Sequence, residues 1–205
     1  MNTRFSQLLM GAGEQEAFTL CPFTNDQELL DYLLKHQILL LVDWKGEEDE
    51  QQIGRFLQGR AAVLSPGATL DLETPYAKLK DEIDRRNIQT GDSVPFLLKK
   101  FQAQQKTTGL TVVLLDRGND SYYIGLMKQS DTKELKKQTD LDGKFVVFGS
   151  LSGEVLYTVN CSCGSMNVWQ VKRGEIITED VCQDCGKELF DKEGKSPFQI
   201  IKDYI

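Results

Sequence analysis

The sequence predicts a mixed α+β protein: a sheet with flanking helices, followed by a small β-rich module at the C-terminal end. Three observations carry this expectation. Apolar residues recur at helical spacing in several segments, with short apolar runs between them. Thr111–Leu115 and Tyr122–Met127 are two strand-like runs joined by the polar stretch Asp116–Asp120, which reads as an antiparallel hairpin and argues against strict βαβ alternation. Beyond Glu154 the texture changes to short alternating runs punctuated by cysteine pairs. The expected organisation is a main domain over 1–153 and a module over 154–205, with the module packed on the main sheet as one option.

Each element has a local reason. Residues 1–20 are small and polar around Gly11 and Gly13, and are expected to form a loose arm or a short first helix. Asn25 and Glu28 have the spacing of a capping box, opening a helix to about His36 with Leu29, Leu30, Leu33 and Leu34 inward. Ile38–Val42 is an unbroken apolar run, as in a strand covered on both faces. Glu47–Glu50 would open a second helix that buries Ile53, Phe56 and Leu57, and Ala61–Leu64 reads as a short strand closed by Ser65-Pro66-Gly67. Thr74-Pro75 suits the cap and first position of a helix with Tyr76, Leu79 and Ile83 inward. A further helix runs from Asp92-Ser93 past Phe96, Leu97 and Phe101 to about Thr107. A short helix is expected near Leu135 and a strand at Phe145–Phe148. In the module, strands are expected at Val155–Val159, Val168–Val171 and Glu175–Thr178, with a last one at Pro197–Ile201 that could join the main sheet.

Charge narrows the function. The chain of 205 residues carries a net charge of −7, and from Cys161 onward acidic residues outnumber basic ones by eight to six. A broad electrostatic surface for DNA or RNA is therefore not expected. No segment approaches the ~18 apolar residues of a membrane span, and no signal peptide is visible at the N-terminus. A cytoplasmic location, with cysteines kept reduced, follows as the expectation.

The chemistry concentrates in Cys161-Ser-Cys163 and Cys182-Gln-Asp-Cys185, two close pairs 18 residues apart, each followed at once by glycine (Gly164, Gly186). A short pair spans one edge of a tetrahedron, and the glycine lets the chain turn back so that backbone N–H groups face the sulfurs. The spacing over Glu154–Phe190 resembles a zinc ribbon, a small β-rich module with four cysteine ligands, although such modules usually have two residues between the cysteines of each pair. The resemblance implies a structural Zn2+ held by Cys161, Cys163, Cys182 and Cys185, with iron as the alternative metal. Four thiolates would leave no open coordination position for activating water. Cys21, beside Pro22, is expected to be a buried small hydrophobe.

Other constellations are thinner. His36 is the only histidine, so any histidine-based triad or metal centre would have to run through it. At a helix end its simplest role is a cation favoured by the dipole. Asp43-Trp-Lys-Gly-Glu-Glu-Asp-Glu50 follows a strand, where α/β folds place ligands. Asp43 with Glu47 or Glu48 could hold Mg2+ and a phosphorylated substrate, or simply form a solvated acidic turn. Neither a P-loop nor a dinucleotide-binding glycine pattern occurs. Asp116–Asp120 reads as a plain turn in which Arg117 could touch a partner. Tyr122, Tyr123 and Trp169 read as packing residues.

These readings predict a zinc-binding protein with a protein partner and a binding or regulatory role outside catalysis. Two alternatives stand beside it: a Mg-dependent enzyme using the Asp43–Glu50 carboxylates on a nucleotide or phosphorylated substrate, and a nucleic-acid-associated ribbon.

Overall fold

The computed structural model describes residues 4–88, 91–135, 143–150, 154–172 and 174–204. The chain divides into two compact units, Met1–Phe148 and Gly149–Ile205. The boundary expected near residue 153 falls outside the described residues, as does Arg173.

In the first unit the chain runs α1 (Arg4–Gln7), α2 (Ala12–Thr19), α3 (Asp26–Lys35), β1 (Leu40–Asp43), α4 (Gln52–Leu64), α5 (Glu73–Asp84), α6 (Ser93–Gln105), β2 (Leu110–Asp116), β3 (Ser121–Lys128), α7 (Thr132–Leu135) and β4 (Lys144–Val147). The four strands form an antiparallel sheet in the order β1-β3-β2-β4, with Val113 opposite Gly125 and Val147. Helices cover both faces, so the architecture is α+β as expected. One face buries Val113, Leu115, Tyr123 and Phe145 against Phe5, Leu9, Phe18, Leu29 and Leu33. The other buries Val112, Ile124 and Leu126 against Ile53, Leu57, Leu97 and Phe101. This double coverage explains why β2 and β3 read as nearly continuous apolar runs, because every side chain of a twice-covered strand meets a core. Gly125 is the exception that makes room: a Cβ there would lie 3.0 Å from Leu39 and 3.2 Å from Val113.

Several expectations are corrected. Residues 4–19 are two helices and no loose arm, since Phe5, Leu9 and Phe18 are wholly buried. The run at 38–42 is not a strand covered on both faces: Ile38 and Leu39 are buried ahead of β1, which is an edge strand with Leu41 43% exposed. Ala61–Leu64 is the last turn of α4, where Ile53, Leu57, Ala61 and Leu64 continue one helical face. A four-residue apolar run is compatible with either element, and here the preceding periodicity decides. Helix α5 starts at Glu73, ahead of Thr74-Pro75; Asp71 caps it by accepting the Thr74 N–H at 3.0 Å, and Ile83 is half exposed. The start of α3 is capped as expected by Asn25, which accepts the Glu28 N–H at 2.9 Å, while the Glu28 carboxylate reaches back to Thr24.

The second unit has a three-stranded antiparallel sheet, β6-β5-β9, built from β5 (Glu154–Asn160), β6 (Met166–Lys172) and β9 (Ile200–Tyr204). A two-stranded hairpin follows from β7 (Asp180–Val181) and β8 (Glu188–Phe190). Residues 175–178 form no strand, so the expected hairpin around the Lys-Arg-Gly turn is absent. The last strand lies at 200–204 and pairs with β5, not with the main sheet. Its core is small: Val159, Cys161, Ile177, Cys182, Leu189 and Phe190. Among the described residues, no helix is long and apolar enough to cross a membrane.

A buried ion pair ties the N-terminal helices to α4. Arg60, 4% exposed, donates to both Glu14 carboxylate oxygens and to the Leu9 carbonyl. Burial would raise the Glu14 carboxyl, but Arg60 and the Gly11 N–H hold it below its ordinary value. Ionised Glu14 therefore stabilises the fold above the unfolded value, and this contribution is lost as pH falls through the lower native one. Thermal unfolding followed against pH should show an acid-labile component below about pH 4.3 that Glu14→Gln removes. Arg60→Ala should cost about 3–5 kcal/mol at neutral pH, because it leaves a partly buried carboxylate without its cation.

Candidate metal centre

The four cysteines of the second unit come together from two turns of similar construction. Cys161-Ser-Cys163 lies in the turn between β5 and β6, and Cys182–Cys185 in the turn between β7 and β8. In the first turn, Cys161 N–H donates to Ser165 O and Gly164 N–H donates to Cys161 O, at 2.8 and 2.9 Å. In the second, Cys182 N–H donates to Lys187 O and Gly186 N–H to Cys182 O, both at 2.8 Å. Each ring of the second turn is one residue longer, which absorbs the extra residue between Cys182 and Cys185. Gly164 and Gly186 take φ of +94° and +70°, the left-handed region that a side chain disfavours.

The four Sγ atoms lie within 4.8 Å of one another. Cys161–Cys185 and Cys163–Cys182 are each 3.6 Å apart, so close contacts run across the two turns. A disulfide needs about 2.05 Å, whereas a tetrahedron of 2.3 Å metal–sulfur bonds has edges of about 3.8 Å. The cluster thus has the size of a four-thiolate metal site. Cys161 and Cys182 are buried, and Cys163 and Cys185 are exposed.

The sulfurs are furnished with donors. Cys161 accepts the Cys163 N–H, Cys163 that of Ser165, Cys182 those of Cys185 and Asp184, and Cys185 that of Lys187. The Cys185 N–H, with that of Asp184, draws the Cys182 thiol down to about 6, and the Cys163 N–H lowers Cys161. Cys163 and Cys185 go up although Ser165 and Lys187 donate to them, because neighbouring sulfurs crowd them. Thiolates this close repel, and a cation among them is what allows all four to ionise.

Residues outside the quartet complete the site. Asn167, on β6 and 7% exposed, contacts both turns. Lys187 Nζ donates to Ser162 Oγ at 3.0 Å on the solvent side and sits 5.3 Å from the Phe198 ring. Trp169 packs edge-to-face on Phe190 and donates from Nε1 to Asp180 at 2.7 Å, confirming it as a packing residue that joins β6 to the β7–β8 hairpin. Sequence spacing pointed to the four cysteines that cluster, but Asn167 and Lys187 carried no signal there, since their contacts arise from the pairing of separate turns.

The other sequence candidates are placed differently. Asp43 is exposed and accepts the Lys45 N–H at 2.9 Å; Glu48 is also exposed. Glu47 turns inward, accepting the Ile53 N–H and the Tyr76 hydroxyl, both at 2.6 Å, while Tyr76 accepts the Gly54 N–H at 3.1 Å. It is a cap for α4, and the acidic run precedes the helix without forming its first turn. The sheet is antiparallel, so the rule placing ligands beyond the carboxyl ends of parallel strands does not apply to β1. His36 stacks on Tyr32 at 4.1 Å at the end of α3. Cys21 is half-buried, not buried, and its thiol faces the Ala17 carbonyl at 3.5 Å. Arg117 lies over Tyr123, 5.7 Å from its ring centre. Among the described residues, the cysteine quartet is the one cluster of three or more metal-ligating side chains.

A four-cysteine cluster of a size that could hold a metal ion, on an antiparallel α+β protein, is thus the class that fold and site define. The chain belongs to the family described as a domain of unknown function, DUF6630, which matches residues 9–147. That match ends ahead of the first metal-site cysteine. Comparisons with curated proteins and with solved structures find no significant match.

Burial, the strongest influence, raises the Glu47 carboxyl above its ordinary value against the pull of Tyr76 and Ile53. Ionising it therefore costs stability as pH rises past about 4.3. Glu47→Gln should fold and flatten that fall, because an amide oxygen still accepts from Ile53 and Tyr76. Glu47→Ala should lose about 1–3 kcal/mol in urea unfolding, with both donors left unpaired.

Proposed function

We propose that this chain is a zinc protein whose C-terminal unit is a zinc-ribbon-like module, and that the metal is structural. The observation that carries this reading is the approach of four free cysteine sulfurs to within 4.8 Å, with two pairs at 3.6 Å. All-thiolate tetrahedral sites are the common structural form for zinc, and iron is the other metal that sulfur geometry admits. With four sulfurs bound, no position remains for a water or substrate, so the metal contributes folding energy and leaves chemistry aside.

The size of the unit supports this. A segment this short, with six residues at its centre of which two are ligands, needs a staple. Structural zinc in finger peptides contributes an apparent ~10–16 kcal/mol at neutral pH. A reducing compartment such as the cytoplasm suits a site of unbridged thiols.

In this reading the module serves a binding or regulatory role with a protein partner. Met166, Val168 and Ile201 support it: all are exposed, and Val168 and Ile201 lie in register on either side of Thr158. The acidic charge balance weighs against nucleic acid.

Protein purified without added metal should carry one zinc ion per chain by elemental analysis, and Cys182→Ser should carry almost none. Stripping the metal with a strong chelator should open 149–205 to proteolysis while 1–148 survives as a protected fragment. Iron in place of zinc would correct the metal, and equal metal in native protein and Cys182→Ser would end the reading.

A further inference from the structure

Asn167 occupies the position from which the two cysteine turns are held together. Its Nδ2 donates to Ser165 O at 3.3 Å, in the first turn, and approaches Cys182 Sγ at 3.7 Å, the buried sulfur of the second. Its Oδ1 accepts the Gln183 N–H at 3.4 Å, again in the second turn. The amide orientation is fixed by these partners: a backbone N–H can only donate and a carbonyl can only accept, so oxygen faces Gln183 and nitrogen faces Ser165 and the sulfur. Asn167 is 7% exposed and Cys182 1%, which places this link on the dry side of the cluster. The wet side has its own link, from Lys187 to Ser162, between two exposed side chains.

We infer that Asn167 is a positioning residue for the metal centre, fixing the second turn against the first and tuning the Cys182 sulfur as a ligand. This rests on the proposal that the quartet binds a metal. Register brings Asn167 there: it pairs with Val159 across the β5–β6 ladder, directly above the first turn, and its side chain shares a face with Trp169 and Val171. A buried amide reaching a thiolate has two consequences. It removes configurational freedom from two turns that are otherwise joined through the metal, an exposed lysine and the Ser165 side chain beside Cys182. It also withdraws charge from one sulfur, lowering the energy of its lone pairs. Partners of this kind typically govern 10–100-fold in metal affinity.

Cobalt(II) separates these effects, since its thiolate charge-transfer bands report sulfur lone-pair energy directly. The full-length chain would be titrated with Co2+ and then competed with a chelator of known affinity, as native protein, Asn167→Ala and Asn167→Asp. Both variants should bind one Co2+ about 10–100-fold more weakly, with the charge-transfer band shifted to longer wavelength. Asn167→Asp keeps the oxygen that accepts from Gln183, loses the donor to sulfur and to Ser165 O and sets a negative charge beside the sulfur, so it checks the direction of the shift even if Asn167→Ala folds poorly. Native affinity and an unchanged band in either variant would overturn the inference. Failure of the native chain to take up Co2+ in tetrahedral form would instead remove the metal reading beneath it.

Discussion

Burying a polar or charged group is costly unless its partners come with it, and the main polar contacts of both units meet that condition. Ser6 Oγ, Arg60 Nε and Gln105 Nε2 are the buried side-chain atoms that find no hydrogen-bond partner among the described residues. In the first unit, Arg60 enters the core with Glu14 and the Leu9 carbonyl. Gln102 does the same between α6 and β2, accepting the Val112 N–H at 2.6 Å and donating to Thr111 at 2.8 Å. Glu47 does so with Tyr76 and Ile53. The Arg60 and Glu47–Tyr76 contacts join segments far apart in the chain, so they select one arrangement of the helices while apolar burial supplies the driving force. In the second unit the condition is most severe. Sulfurs 3.6 Å apart, each supplied with N–H donors, cannot all carry charge unless a cation lies among them.

The two units meet the requirement by different means because they differ in what they can bury. The first has a sheet covered on both faces and an extensive apolar interior on each. Its polar contacts add specificity and stability to a core whose driving force is apolar burial. The second has a handful of core residues, two of them cysteines. There the polar cluster is the core, and a cation bound among the four sulfurs would supply most of what opposes chain entropy.

What the residues declare in advance follows the same division. The cysteine quartet was legible because metal geometry imposes spacing locally: a pair one or two residues apart, then a glycine. The β2–β3 hairpin and the α3 cap were legible for similar reasons, with both signals lying within a few residues. Failures occurred where tertiary context decided. Ala61–Leu64 has the composition of a strand and became helix because α4 had already set its phase. Ile38–Val42 suggested a central strand, but two of its residues bury themselves in a turn and the strand proper takes the sheet edge. Glu47 looked like half of a cation site and proved to be a helix cap, a role fixed by Tyr76, which is 29 residues away. Asn167 gave no signal, since its importance depends on a turn on another hairpin.

The family match and the metal centre occupy different parts of the chain, and this separates two questions. Residues 9–147 fall within the first unit, Met1–Phe148. The cysteines begin at 161, beyond the match. Knowledge of the metal thus bears on the second unit first, and any activity of the family domain has to be sought on its own surface. The antiparallel sheet limits where to look: it has no crevice at the carboxyl ends of parallel strands. The exposed apolar side chains of this unit include Leu20, Ile83 and Val63 on or beside helices, and Leu41 and Trp44 along the β1 edge. An edge strand with unpaired backbone groups beside apolar side chains is a place where another chain can add. Apolar side chains are exposed on each unit, so exposure by itself does not single out one of them as a place of contact.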